Sequence, residues 1–128
     1  MAFKEPVATP SILATVPDIL RKALQENIDM ASAQKKSILI SSNSLANRFI
    51  LERWDIRPSQ RRRYRNLFMT VRRHCRSIFE NLLARKRITW ETEDESYFFG
   101  IFRFDEVRGN LILGFVPATK GTEWALPR

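Results

Sequence analysis

The clearest periodicity in the chain runs from Tyr64 to Leu82. Tyr64, Phe68, Val71, Cys75, Ile78 and Leu82 recur at steps of four and three residues, which places them on one stripe of an α-helix. Leu67, Phe79 and Leu83 widen that stripe. The pattern predicts a helix from about Ser59 to Arg87, with Ser59 as cap and Pro58 tolerated near its first turn. Two shorter helices are predicted before it. Val16, Ile19, Leu20, Ala23, Leu24 and Ile28 mark one from about Val16 to Ala31, capped by Thr15. Leu45, Ala46, Phe49, Ile50 and Trp54 mark a second, opened by the cap cluster Ser42, Asn43 and Ser44 and ending near Trp54. Between these two, Ser37-Ile38-Leu39-Ile40-Ser41 suits a short strand or a lead into the next helix.

After Arg87 the period changes from helical to alternating. Ile88–Thr92, Ser96–Phe104 and Asn110–Val116 read as strands, separated by acidic or Gly-containing turns at 93–95 and 105–109. The expected fold is α+β: three N-terminal helices, the third long and basic, then a three-stranded antiparallel meander. Residues 1–10, with Pro6 and Pro10, are expected to form a flexible arm. Residues 11–118 form one domain, and 119–128 a C-terminal tail in which Trp124 and Leu126 could still dock.

Composition narrows the chemistry. The chain has 128 residues, enough for one domain with a sizeable core, and a single cysteine, Cys75, so no internal disulfide can form. With His74 as the lone histidine, zinc sites built from Cys and His are excluded. Cys75 lies in the apolar stripe and reads as packing. Its helical neighbour His74 points about 100° away and reads as facing solvent or phosphate, so the two cannot form a Cys–His couple. No apolar run approaches the ~20 residues of a membrane helix, and Lys4, Glu5 and Pro6 stand where an export signal would turn apolar. A reducing intracellular compartment, cytoplasm or nucleus, is expected, with no membrane partner.

Charge then supplies the functional clue. The chain carries 22 Lys+Arg against 14 Asp+Glu, a formal net of +8. Arg53 to Arg87 holds 12 basic residues, 11 of them Arg, and only the acidic Asp55 and Glu80, a net of +10; the remainder nets −2. Arginine suits bidentate phosphate contact, so nucleic acid is the expected partner, DNA in preference to RNA. On the predicted helix Arg61, Arg65, Arg72 and Arg76 line up beside the apolar stripe, with Arg62 and Arg73 farther round the same side. These four span about 22 Å of helix axis at 1.5 Å per residue, a length over which phosphates along a groove edge can be tracked.

The order helix, short strand, helix, sharp turn, helix and hairpin, with Ser44-Leu45-Ala46-Asn47-Arg48-Phe49 before the turn and Asp55-Ile56-Arg57-Pro58-Ser59-Gln60-Arg61-Arg62-Arg63-Tyr64 across it, resembles the winged helix-turn-helix family. The resemblance covers about half the chain. It implies that Ile56 packs between the two helices and that Ser59, Gln60, Arg61 and Arg62 read or anchor DNA. The chain departs from the family in having no Gly at the turn and a third helix about twice the usual length.

Other readings follow from the same residues. The Tyr64–Leu82 stripe could serve as a homodimer seam, although a sheet in need of cover favours a core role. Phe99-Gly100-Ile101-Phe102-Arg103-Phe104 partly echoes an RNA-recognition motif, but Ile101 stands where an aromatic must stack. Glu91, Glu93 and Glu95 could share a strand face and hold Mg²⁺; a solvated charge run accounts for them better. No phosphate-loop, dinucleotide or nucleophile-elbow motif occurs, so no enzymatic activity and no cofactor are expected. The alternative function is a non-enzymatic assembly module. In that reading the arginine face meets an acidic surface, such as Glu91, Glu93, Asp94 and Glu95 of another copy, and the aromatic sheet supplies apolar contact.

Overall fold

The structure, a computed structural model, describes residues 3–34, 38–82, 87–91, 96–114 and 116–117. The chain is α+β. Its elements run α1 (Pro10–Leu13), α2 (Val16–Gln34), β1 (Ile38–Ser41), α3 (Ser42–Trp54), a 3-10 turn (Pro58–Gln60), α4 (Arg65–Leu82), β2 (Arg87–Glu91), β3 (Ser96–Asp105), β4 (Asn110–Leu113) and β5 (Val116–Pro117). Among the described residues no helix is long and apolar enough to cross a membrane.

The third helix is shorter than the expected Ser59–Arg87 span and coincides with the hydrophobic period itself. Pro58–Gln60 form a 3-10 turn, Arg61 N–H donates to the Pro58 carbonyl (3.2 Å) and Arg63 N–H to the Gln60 carbonyl (3.0 Å), and α4 begins only at Arg65. Arg61-Arg62-Arg63 would place three cations at the positive end of the helix dipole, which opposes an earlier start. At the other end Arg87 is already in β2.

Capping also shifts. Thr15 does not cap α2: its hydroxyl donates back to the Ile12 carbonyl at 2.6 Å, closing the short α1. Ser41 caps α3 by accepting from Ser44 N–H at 3.4 Å, whereas Ser42 is buried and its N–H donates to the Gly109 carbonyl at 2.8 Å. At the end of α3, Asp55 takes the left-handed conformation (φ 55°) that glycine would otherwise supply, and its N–H bonds the Leu51 carbonyl at 2.9 Å. A short Asp side chain tolerates that region.

The meander β2-β3-β4 is present, and the sheet extends beyond it. The order is β1-β4-β3-β2, with β5 pairing with β3. Strand β1 pairs antiparallel with β4 (Ile38↔Leu113 to Ser41↔Asn110), so the segment between α2 and α3 is a sheet strand. The long β3 pairs β2 through 96–100 and β4 through 101–105, with a register shift between Ile101 and Arg103. The β3–β4 turn is held by Asp105, whose Oδ1 accepts from Val107 N–H (3.1 Å) and Arg108 N–H (3.2 Å). Gly109 follows at φ +69°, where a Cβ would strike the Ser42 hydroxyl.

The core lies between the helices and the β1–β4–β3 part of the sheet. Val16, Leu20 and Leu24 of α2, Leu45, Ala46, Phe49 and Ile50 of α3, and Leu67, Val71, Cys75 and Phe79 of α4 meet Ile38, Ile40, Phe104, Leu111 and Leu113. The buried ridge of α4 is the four-residue row Leu67–Val71–Cys75–Phe79, joined by Phe68. Tyr64 and Ile78, expected at the centre of the stripe, are only partly buried. Ile78 borders a groove of ≈ 390 Å³ that the one-turn α1 leaves beside α4, with Pro10, Leu13, Pro17 and His74. Phe79 and Phe104 meet edge to face, with ring centroids 6.5 Å apart, and tie α4 to the sheet.

The side chains of Ile28, Leu82, Tyr97, Phe98, Phe99 and Phe102 lie outside the described residues, as do residues 92–95 and 118–128. The acidic cluster, the tail and the two faces of the aromatic strand therefore fall outside the described residues as well.

Candidate nucleic-acid interface

Helix α4 presents its arginines beside the buried ridge, and the turn before it adds more. Arg61, Arg62, Arg65 and Arg72 converge with Phe68 and Met69 on one open groove of ≈ 520 Å³. Residues 61–64 wind as a turn immediately ahead of α4, and Arg61 and Arg62 from that turn line the groove together with Arg65 and Arg72 of α4. Its floor combines Phe68, only 3% exposed, with Met69, which at 46% is one of the large hydrophobic side chains left open to solvent. Arg61, Arg62 and Arg65 are exposed, whereas Arg72 is half-buried.

Arg72 is the best-held member. Its guanidinium lies 5.5 Å above the Phe68 ring, and Nη2 donates to Oδ1 of Asn47 on α3 at 3.3 Å. Its Nε is buried and meets no acceptor among the described residues. Among the described residues, no carboxylate lies within salt-bridge distance of Arg61, Arg62, Arg65 or Arg72.

The other sequence-predicted positions are placed elsewhere. Arg73 is exposed, a helical step of about 100° from Arg72, and is not among the groove residues. Arg76 is half-buried: its Nε stands 3.9 Å from Glu80, and its guanidinium covers the Phe104 ring at 5.6 Å. Ser59 and Gln60 are exposed in the 3-10 turn and not on a recognition helix. The Gln60 Oε1 accepts from Arg57 N–H at 3.0 Å, so that side chain is engaged in local structure. Ile56, the packing residue the family resemblance implies, is buried.

Three features of this region are not apparent in the sequence. Glu5, 62 residues away in sequence, accepts Leu67 N–H at 2.9 Å and supplies a carboxylate to the N-terminus of α4, whose own first turn has no acidic residue. Phe3 lies edge-on to Tyr64 at 5.2 Å and under the Arg63 guanidinium at 4.2 Å. Residues near the start of the chain thus rest on α4 and take Arg63 out of the groove. Asn47 anchors Arg72 from α3. For Glu5 and Phe3 no local signal exists, whereas Met69 could have been found, since it falls about 40° from Arg65 on the helical wheel.

Nucleophilic and metal chemistry finds little here. Cys75 is fully buried, and desolvation pushes its thiol up from 9.0 to about 12, so it packs as a neutral apolar group. Among the described residues no group of three or more His, Cys, Asp and Glu is arranged to hold a metal ion. No family model, curated protein or solved structure matches the chain. The likeness to winged helix-turn-helix proteins therefore rests on the residues quoted for it.

Proposed function

We propose that this protein binds nucleic acid, DNA in preference to RNA, by taking backbone phosphates on Arg61, Arg62, Arg65 and Arg72, in a regulatory or replication-associated role. One observation carries the reading. Four arginine side chains line a single groove, with no carboxylate in salt-bridge reach among the described residues. Cations gathered with no carboxylate in reach among the described residues repel one another and provide a ready site for a polyanion. Arginine in place of lysine fits the planar, two-pronged geometry of phosphate oxygens. Ser59 and Arg73 are exposed but are not among the groove residues; each can add a backbone contact to a strand that extends past the groove.

The test is a titration against duplex DNA, single strands and duplex RNA at several salt concentrations. Neutralising phosphates releases counterions, so log K should fall linearly with log salt, by about 0.9 per contact on duplex DNA and 0.7 on single strands. Four contacts predict a slope of about −3 to −4 on duplex. Binding to none of the three, or binding insensitive to salt, overturns the proposal.

A further inference from the structure

The groove carries more than charge, and its apolar floor narrows the ligand. We infer, on the reading that this site takes phosphates, that the groove between Arg61, Arg62, Arg65 and Arg72 receives an unpaired nucleotide, so the preferred ligand is single-stranded nucleic acid. A surface that only tracks a duplex backbone needs cations on an even rim. Here the cations surround a depression of ≈ 520 Å³ floored by Phe68 and Met69. Cavities of about 300–1,000 Å³ with apolar linings and a few convergent polar groups hold small organic ligands. One nucleotide, with an anionic phosphate and a flat apolar base, matches both halves of that lining.

A duplex cannot cover the floor. Its bases present edges in the grooves while their faces are stacked on one another, and successive phosphates of one strand advance only about 3.4 Å along the axis. Arg65 and Arg72, seven residues apart on α4, are separated by about 10 Å of helix rise. An unstacked strand can place phosphates at both and drop a base between them; a stacked one would leave Met69 wet. Met69 offers a polarisable thioether to a ring face, and the flanking guanidinium planes offer stacking surfaces of the kind single-strand binders use. Arg72 is preset for this, held against Phe68 and by Asn47.

Three strands of equal phosphate count separate the possibilities: a thymidine homopolymer, the same backbone with abasic sites, and a duplex. The wild-type protein should bind the homopolymer about tenfold or more tighter than the abasic strand, the range expected when a base stacks on protein. It should also favour the homopolymer over the duplex. Met69→Ser removes the solvent-exposed apolar part of the lining without touching charge and, at an exposed position, should leave the fold intact by circular dichroism. It should erase the advantage of the based strand while abasic affinity stays unchanged. Equal affinity for based and abasic strands, a duplex bound as tightly as the homopolymer, or a Met69→Ser variant that keeps the base preference would each overturn the inference and leave the phosphate reading standing. Failure to bind any strand would remove both.

Discussion

Arg48 and Arg65 are the same side chain in opposite circumstances. Arg48, on α3, is gripped by Glu26 of α2 through two bonds, Nη1 to Oε2 at 2.8 Å and Nη2 to Oε1 at 2.7 Å, with Glu52 3.8 Å from its Nε. Its charge is spent on joining two helices. That pairing, chiefly the hydrogen bond, holds the Glu26 carboxyl below its ordinary range and raises the Arg48 guanidinium. Arg65, on the first turn of α4, lies at the rim of the groove with no carboxylate in range among the described residues. Arg76 falls between these cases, half committed to Glu80 and the Phe104 ring. A count of arginines treats the three alike. What distinguishes a structural cation from one kept for a ligand is whether the fold has already supplied its anion.

The largest expected effect separates these two kinds of arginine directly. The triple variant Arg61→Gln, Arg65→Gln and Arg72→Gln should weaken polyanion binding by orders of magnitude and flatten the salt slope by about 0.7–0.9 per lost contact. Arg48→Gln should leave the slope unchanged. Fluorescence anisotropy across a salt series reads both. A triple variant that stays folded and keeps its slope would place the site elsewhere.

Much of the fold was legible because it depends on local period. The apolar stripes of α2, α3 and α4 and the alternation after Arg87 mark elements that are present, although α4 is shorter at both ends than the expected Ser59–Arg87. What escaped depends on distance. Whether Ile38–Ser41 is a strand was decided by β4, some seventy residues later, and nothing near Ile38 announces Leu113 as its partner. The start of α4 was misplaced because Ser59 and Pro58 suit a helix start locally, whereas the dipole disfavours Arg61-Arg62-Arg63 there and accepts Glu5 from outside the helix. The same blindness affected the site. The wheel put Arg61, Arg65, Arg72 and Arg76 on one line and sets Glu80 one turn from Arg76, but it could not show Phe104 meeting Arg76 or Asn47 securing Arg72.

Next in size is the packing that both regions share. Phe79 is fully buried where α4 meets the sheet, so Phe79→Ala should cost about 3–5 kcal/mol of unfolding free energy by urea titration. It should lower stability without changing the salt slope of the protein that remains folded. A loss below about 1 kcal/mol would mean that the α4–sheet contact is not the core.

A smaller effect is expected at the β3–β4 turn. Gly109 combines a positive φ with direct apposition to Ser42, and the Arg76 guanidinium lies 3.5 Å from where a Cβ would stand. Gly109→Ala should cost about 1–3 kcal/mol through backbone strain and collision, measured as a drop in urea midpoint. Because it disturbs only the arginine already committed to the sheet, nucleic-acid affinity at low temperature should be retained.

The smallest effect tests the comparison at its other pole. Glu26 is exposed, so Glu26→Gln should reduce stability only slightly, and less so at high salt. The sign of its pH dependence follows from the depressed carboxyl. A group whose folded value lies below its unfolded one contributes stability above the unfolded value, here near 4.5, and loses it as pH falls through the lower folded value. Thermal melts should therefore show the wild-type advantage over Glu26→Gln at neutral pH and its disappearance in acid. The variant also frees Arg48 from its bidentate partner, leaving only the looser contact to Glu52. If any unpaired surface arginine sufficed for binding, polyanion affinity would rise with a steeper salt slope. The expected result is an unchanged slope, because Arg48 on α3 is not one of the groove residues and has no apolar floor beside it with which to hold a strand.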